Sequence, residues 1–454
     1  MTSVDRTQLP SVGSNPPFSL PHFVKVSLSN NTKVWTAEYR RAPMVTLRLL
    51  LPVGAAADPL DKFGLAALTA DLLDEGSAGR SSEELHKALM RIGGHLKTEV
   101  WSDATVIGLT TLSRHLQEGL RLLYEVVMQP RFHLTDINRV RAVRLQRIRQ
   151  MKHTPAAVAD RLFLKELYGS HPYGHLSIGT EEGLQNIGES DVLSFHKGWY
   201  RPSCLTLIAV GNLNPADIID AVIPVWSTTI ESDRDSVSVP KLPIPTETKK
   251  SMFFVSRDDA VQSELRLGHL GVSRSSPDYY ALRVLNMVLG GQFVSRLNLN
   301  LREDKGYTYG ASTSFDWRLG RGPFSLQVSV QTESTCDAIC ESVKEIADIR
   351  GERAPSVREL DLARAALTKS FPRNFETVFQ IAHAAVQIAL HDLNEDVFSH
   401  FVPRVLSVSP EDVSRVATEH LQPDRLLAVV VGSRSAVFSR LGDLDFGDPV
   451  EVSA

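Results

Sequence analysis

Three carboxylates stand close together in GLAALTADLLDEGSAGR (Gly64 to Arg80), namely Asp71, Asp74 and Glu75. Grouped carboxylates can hold a hard cation, but a catalytic zinc needs softer partners as well, and this stretch has neither histidine nor cysteine. Asp74 and Glu75 read instead as solvated acids closing a helix before a Gly/Ser turn. His171 and His175 stand four apart in HPYGHLSIGT. Pro172 and Gly174 make that segment a loop rather than a helix face, so loop packing is expected there and metal binding is not. Cys336 and Cys340 share a helical face with Ile339, Val343 and Ile346 and read as core thiols, not as a redox or metal pair.

A second constellation lies in LGGQFVSRLNLNLREDKGYTYGASTSF (Leu289 to Phe315). It contains the pair Gly290-Gly291, then Ser295-Arg296-Leu297, then Arg302, Gly306 and Tyr309. Arg302 is expected near a helix end and Tyr309 on the strand after Gly306, so the turn can bring both heads to one point. A guanidinium fork and a phenol hydroxyl suit peptide carbonyls and a developing oxyanion. The competing readings are that Arg302 complements a helix C-terminal dipole, and that Tyr309 packs in the core with Tyr307, Ala311 and Thr313. Arg296 reads as a packing or salt-bridge residue. The paired glycines allow close backbone approach and positive φ.

These residues must be positioned by elements, and the elements occur twice, about 220 residues apart. TLRLLLPVG (from Thr46) and ELRLGHLGV (from Glu264) are strands, and DKFGLAALTADLL (from Asp61) and DYYALRVLNMVLG (from Asp278) are the helices that follow. RPSCLTLIAVGN (from Arg201) matches QPDRLLAVVVGS (from Gln422), each after a helical stretch. Val45, Leu47, Leu49 and Leu51 alternate as a half-buried strand requires, and Phe324, Leu326, Val328 and Val330 do the same. Leu116, Leu120, Leu123 and Val127 mark a helix that must stop by Pro130. The expected fold is α+β: two tandem homologous domains, each a mostly antiparallel sheet with helices packed on one face. No glycine-rich phosphate loop follows the first strand of either half, which argues against a doubly wound fold. Residues 1–30 are expected to form a flexible arm, 31–228 the first domain, 229–250 a linker rich in Pro, Ser and charge, and 251–454 the second domain.

The chain has 454 residues, 43% hydrophobic and 22% charged, with a net charge of −4. That balance leaves no electrostatic footprint for nucleic acid. The one basic run, Arg139 to Lys152, reads as a solvated helix face. No window reaches the ~18 apolar residues of a membrane span, and the N-terminus lacks the basic-then-apolar order of a secretory signal. Three cysteines make no disulfide framework. A reducing cytoplasm fits best, with a periplasmic setting the alternative if export uses a non-standard signal.

The order strand, G-L-A, helix, Gly/Ser turn and MRIGGHLKTEVWSDATVIGLTTL resembles the first domain of the pitrilysin/insulinase family of zinc metallopeptidases, above all its processing-peptidase branch. The tandem halves, the HPYGHLSIGT loop and GWYRPSCLTLIAVGN resemble the same family, over nearly the whole chain after about residue 30. Active members carry H-x-x-E-H on the helix after G-L-A, giving two zinc ligands and a general base. On that register this chain has Ala67, Ala70 and Asp71. The family's further ligand, a glutamate on a later helix, falls in NRVRAVRLQRIRQMKHTPAAVA (Asn138 to Ala159), which has no carboxylate. The resemblance thus implies degenerate zinc-site positions, no cofactor in this chain and no catalytic residue. It also implies that Gly290, Gly291, Arg302 and Tyr309 match the part that binds substrate opposite the zinc. In two-subunit relatives one chain carries the zinc motif and the other this Arg/Tyr pair. The implied role is a silent subunit pairing with a homologous zinc-binding peptidase subunit and contacting an extended peptide. The rival is a structural or adaptor subunit, as in relatives within respiratory complexes.

Overall fold

A computed structural model describes residues 19–77, 79–227, 242–258 and 260–453, together with Thr7. The rest of the expected arm before residue 19, and residues 229–241 of the expected linker, lie outside the described residues. The strands are β1 (Val24–Ser27), β2 (Lys33–Glu38), β3 (Met44–Leu51), β4 (Gly76–Ser77), β5 (Arg80–Ser81), β6 (His95–Val100), β7 (Thr105–Leu112) and β8 (Thr206–Gly211) in the first half. The second half contributes β9 (Ser251–Ser256), β10 (Gln262–Leu270), β11 (Ala311–Phe315), β12 (Pro323–Gln331), β13 (Leu427–Gly432) and β14 (Val450–Glu451).

Two six-stranded sheets result, in the orders β1-β2-β8-β3-β7-β6 and β11-β12-β10-β13-β9-β14. Reversing the second aligns β9-β13-β10-β12-β11 with β2-β8-β3-β7-β6, so the sequence repeat is a repeat of topology. Pairing is antiparallel except β2 with β8, β13 with β9 and β14 with β9. The first sheet begins earlier than expected. Val24 and Val26 alternate with Lys25 and Ser27, and β1 pairs with β2. Asn30 is buried and donates its amide to the Trp226 carbonyl at 2.6 Å. Residues 24–30 therefore belong to the first half rather than to an arm.

Each sheet carries helices of its own half on one face. The other face is covered from the opposite half. Helix Val378–Leu390 lies on β3 and β8, and helix Pro155–Tyr168 lies on β10 and β13. This exchange explains a departure from the sequence pattern. β3 is buried on both faces, not half-buried, and even Arg48 is 0% exposed. Arg48 sits 3.1 Å from Glu99 and over the Phe379 ring of the covering helix. Gly108, directly across the ladder, leaves it room, since a Cβ there would stand 2.7 Å from Nη1. Arg266, its counterpart in the repeat, reaches Asp160 of the other covering helix at 2.6 Å. One apolar core runs through both halves, joining Ala37, Leu50, Val106 and Ile208 to Ile381, Ala385 and Leu282.

The halves are also tied by a buried polar junction. Tyr173 donates its hydroxyl to Asp103 at 2.5 Å, while the Gly320 and Leu319 amides donate to Tyr173 Oη and Asp103 Oδ2 at 3.0 and 2.8 Å. The described end of the linker is held down: His171 Nε2 meets the Pro243 carbonyl at 2.9 Å, and Glu247 pairs with Arg321 and Arg425.

Candidate functional site

Helix Leu65–Asp71 is short, and its residues Leu65 to Ala70 are all buried. Its N-terminus is capped at a distance. The Asp58 carboxylate accepts from the Gly64 and Ala66 amides at 2.6 and 2.7 Å, and His175 Nε2 lies 3.2 Å from the same group. The His175 ring stacks on Phe63, 4.0 Å between centroids. Gly64 has φ 106° and Gly179 has φ 86°, and the two backbones pass so closely that a Cβ on Gly179 would stand 2.2 Å from the Phe63 carbonyl. The HPYGH loop is thus packing for this helix, as its Pro and Gly suggest.

At the three register positions, Ala67 and Ala70 turn methyl groups into the interior, 4% and 1% exposed. Asp71 forms an ion pair with Arg144 of helix Leu134–Met151, and Arg144 also donates to the Ser177 carbonyl at 3.1 Å. Glu75 pairs with Arg139 of the same helix. Burial, with Glu75 beside it, pushes the Asp74 carboxyl up. The donor set does not fit a catalytic zinc: two methyl groups donate nothing, and the one carboxylate is already matched by a guanidinium that would repel a cation.

The second-half motif folds as a tight cluster. Neither Gly290 nor Gly291 has positive φ; the need is for close approach. A Cβ on Gly290 would meet Thr313 at 2.6 Å, and one on Gly291 would meet Asn286 at 2.7 Å. Asn298 binds the cluster together, taking the Ala311 amide and giving its own amide to the Gln292 and Ala311 carbonyls. Arg296 forms a fork on Glu359 at 2.6 and 3.0 Å, a structural pair as expected. Arg302 lies on the widened turn Leu299–Asp304, stacked over the Phe293 ring at 3.3 Å and paired with Glu303. Tyr309 precedes β11 rather than lying on it, and its ring is 93% exposed. That excludes the core reading of Tyr309. Phe293, Val294 and Leu299 of the same motif are exposed as well.

Sequence reasoning missed Asp58, which acts across a loop and so leaves no capping spacing. It also missed the cleft lined by Trp101, Asp103, Trp317 and Arg318, whose residues come from two distant segments.

Two α+β halves of one strand order, with a buried helix where a metal motif would stand, define a duplicated metallopeptidase-type scaffold. Two family models match in succession, "Insulinase (Peptidase family M16)" over residues 33–181 and "Peptidase M16 inactive domain" over residues 186–367. The chain belongs to peptidase family M16. It is similar to an uncharacterized zinc protease of Mycobacterium tuberculosis, 24% identical over 380 residues, 84% of this chain and 86% of that protein. A solved structure described as a peptidase M16 inactive domain from Pseudomonas fluorescens superposes with TM-score 0.84 and 26% identity, covering 90% of this chain and 98% of the other. A protease from Helicobacter pylori shares the fold at TM-score 0.84 and 19% identity, covering 91% and 100%. Among the described residues no helix is long and apolar enough to cross a membrane.

Proposed function

We propose that this chain is a catalytically silent M16 subunit that lends half of a peptide-binding chamber, with Arg302 and Tyr309, to a partner carrying the zinc. The observation that carries this reading is the contrast between the two motif sites. At the positions of the family's first zinc ligand, general base and second ligand stand Ala67, Ala70 and Asp71, two buried methyl groups and a carboxylate paired with Arg144. Where the family contacts substrate, Tyr309 is almost fully exposed. An exposed tyrosine ring costs apolar hydration and makes sense as one half of a contact.

Zinc, activated water and general base would come from a homologous subunit bearing H-x-x-E-H. Arg302 and Tyr309 would meet peptide carbonyls, and Gly290 and Gly291 would shape the turn beneath them. Extended peptide would add to a free sheet edge, with β6 and β11 the candidates at equivalent ends of the two sheets. The setting that fits best is the cytoplasm, with the periplasm as the alternative.

Co-purification with H-x-x-E-H homologues from the same genome tests the reading. The expected result is peptidase activity in the mixture only, metal in the partner only, and a drop of about 10²-fold with Arg302→Ala at unchanged assembly. Stoichiometric zinc and turnover in this chain by itself would overturn it. A stable complex indifferent to Arg302→Ala would point to the adaptor role instead.

A further inference from the structure

Beyond the end of β10 the chain gathers arginines for which the chamber role has no use. Arg274 lies flat on the Tyr279 ring, 3.6 Å from its centroid. Arg283, one turn along helix Tyr279–Leu289, donates Nη1 to the hydroxyl of the same tyrosine at 3.0 Å. Arg404, from helix Phe401–Leu406, stands 5.9 Å from the Tyr280 ring. Tyr279 and Tyr280 meet edge to face at 5.2 Å, so the three guanidinium groups share one aromatic floor.

No carboxylate answers them. Among the described residues none of the three forms an ion pair, whereas Arg48, Arg144, Arg266, Arg296 and Arg318 each meet a carboxylate. Asp278, next in the chain to Tyr279, is spent on Arg415 and His420 at 2.6 and 2.7 Å. Asp396, the acid whose charge reaches Tyr280, lies 3.2 Å from His400. Burial raises the Tyr280 phenol and Arg274 and Arg404 both pull it back, so these charges act at one place. Burial also draws the Arg274 guanidinium below its ordinary value, against the pull of the two phenols, and the Arg283 charge draws it further.

The donors are reachable. The Arg274 guanidinium makes no hydrogen bond among the described residues, yet none of its nitrogens is sealed from solvent. A guanidinium stacked on a ring keeps its N–H donors in its own plane, where an acceptor can meet them at the edge. The ring also holds the fork in one orientation, so less freedom is lost when the acceptor arrives.

Charge selects the ligand. A cation would be repelled, and a neutral ligand would leave the excess charge unscreened. A carboxylate brings one charge to three. A phosphate group brings about two at neutral pH, with three acceptor oxygens, enough to bridge two forks.

We propose that this patch binds a phosphate group, its oxygens bridging Arg274 and Arg283 with Arg404 at the rim. A free phosphate ion and a small phosphate monoester share this chemistry.

Calorimetric titration of the full chain at fixed ionic strength with inorganic phosphate, phenyl phosphate and acetate tests it. Saturable binding of inorganic phosphate is expected, with acetate at least ~10-fold weaker, as the loss of one charged hydrogen bond implies. Tighter binding of phenyl phosphate assigns the site to a monoester and weaker binding to the free ion, and either result supports the proposal. Arg274→Gln should weaken phosphate at least ~10-fold. Arg434→Gln, at a surface arginine paired with Glu451, should leave it unchanged. Should Arg274→Gln fail to fold, Arg404→Glu at the exposed rim, checked for native unfolding, should weaken phosphate by a similar factor. No saturation with phosphate, acetate binding as tightly, or binding untouched by Arg404→Glu would each overturn the proposal.

Discussion

At the scale of single residues, the end of helix Leu65–Asp71 is a place of matched charge. Asp71 with Arg144 and Glu75 with Arg139 neutralise acids that would otherwise crowd one helix end. The same economy governs Arg296 and Glu359. Glu359 is partly buried, which raises its pKa, but the Arg296 fork and the Ser356 amide and hydroxyl outweigh burial and bring it to about 2, from an ordinary 4.5. A depressed carboxylate stabilises the fold above its unfolded pKa, and that contribution fades as pH falls through the folded value. Stability should therefore drop between about pH 4.5 and pH 2. Glu359→Gln should flatten that drop by roughly 1 kcal/mol, allowing for solvent screening. Urea midpoints across this range would show it, and parallel acid limbs for the two proteins would count against it.

At the scale of elements, Asp58 decides the placement of helix Leu65–Asp71. It closes two helix N-terminal amides and orients His175 from inside the core. Asp58→Ala should cost about 2–4 kcal/mol, since two buried donors lose their acceptor. Chemical unfolding measures this; a loss below about 0.5 kcal/mol would mean that water replaces the carboxylate. Much of this element level was legible in the sequence. The paired Leu-Arg-Leu strands, the helix closing before Pro130 and the matched RPSCLTLIAVGN block came out where periodicity and the internal repeat put them. The burial of Ala67 and Ala70 was legible too, because small apolar residues within an apolar helical stretch pack inward. What periodicity could not convey is which sheet a helix covers. The apolar face of Val378–Leu390 reads like that of any amphipathic helix, yet it belongs to the other half's sheet. Tyr309 was ambiguous for a related reason: a tyrosine spaced two residues before a strand reads as part of it until the backbone turns away.

At the scale of the molecule, the exchange of helices makes the two halves one folding unit. Residues 1–228 would expose the face of β3 and β8 that Val378–Leu390 covers, and residues 229–454 the face of β10 and β13 that Pro155–Tyr168 covers. Expressed separately, each piece should aggregate or bind a hydrophobic dye strongly. Expressed together, they should co-purify with native unfolding behaviour. Independent cooperative unfolding of either piece would refute the reading.

The reciprocal covering helices have a mechanical consequence as well. Each sheet is clamped by the opposite lobe, and Tyr173, Asp103 and Leu319 bolt the seam, so among the described residues the two lobes are held to each other by both packing and hydrogen bonds. Under the proposed function, an opening for a peptide would then lie along the border with the partner subunit rather than between the two lobes, making the molecule one shell of a bivalve rather than its hinge.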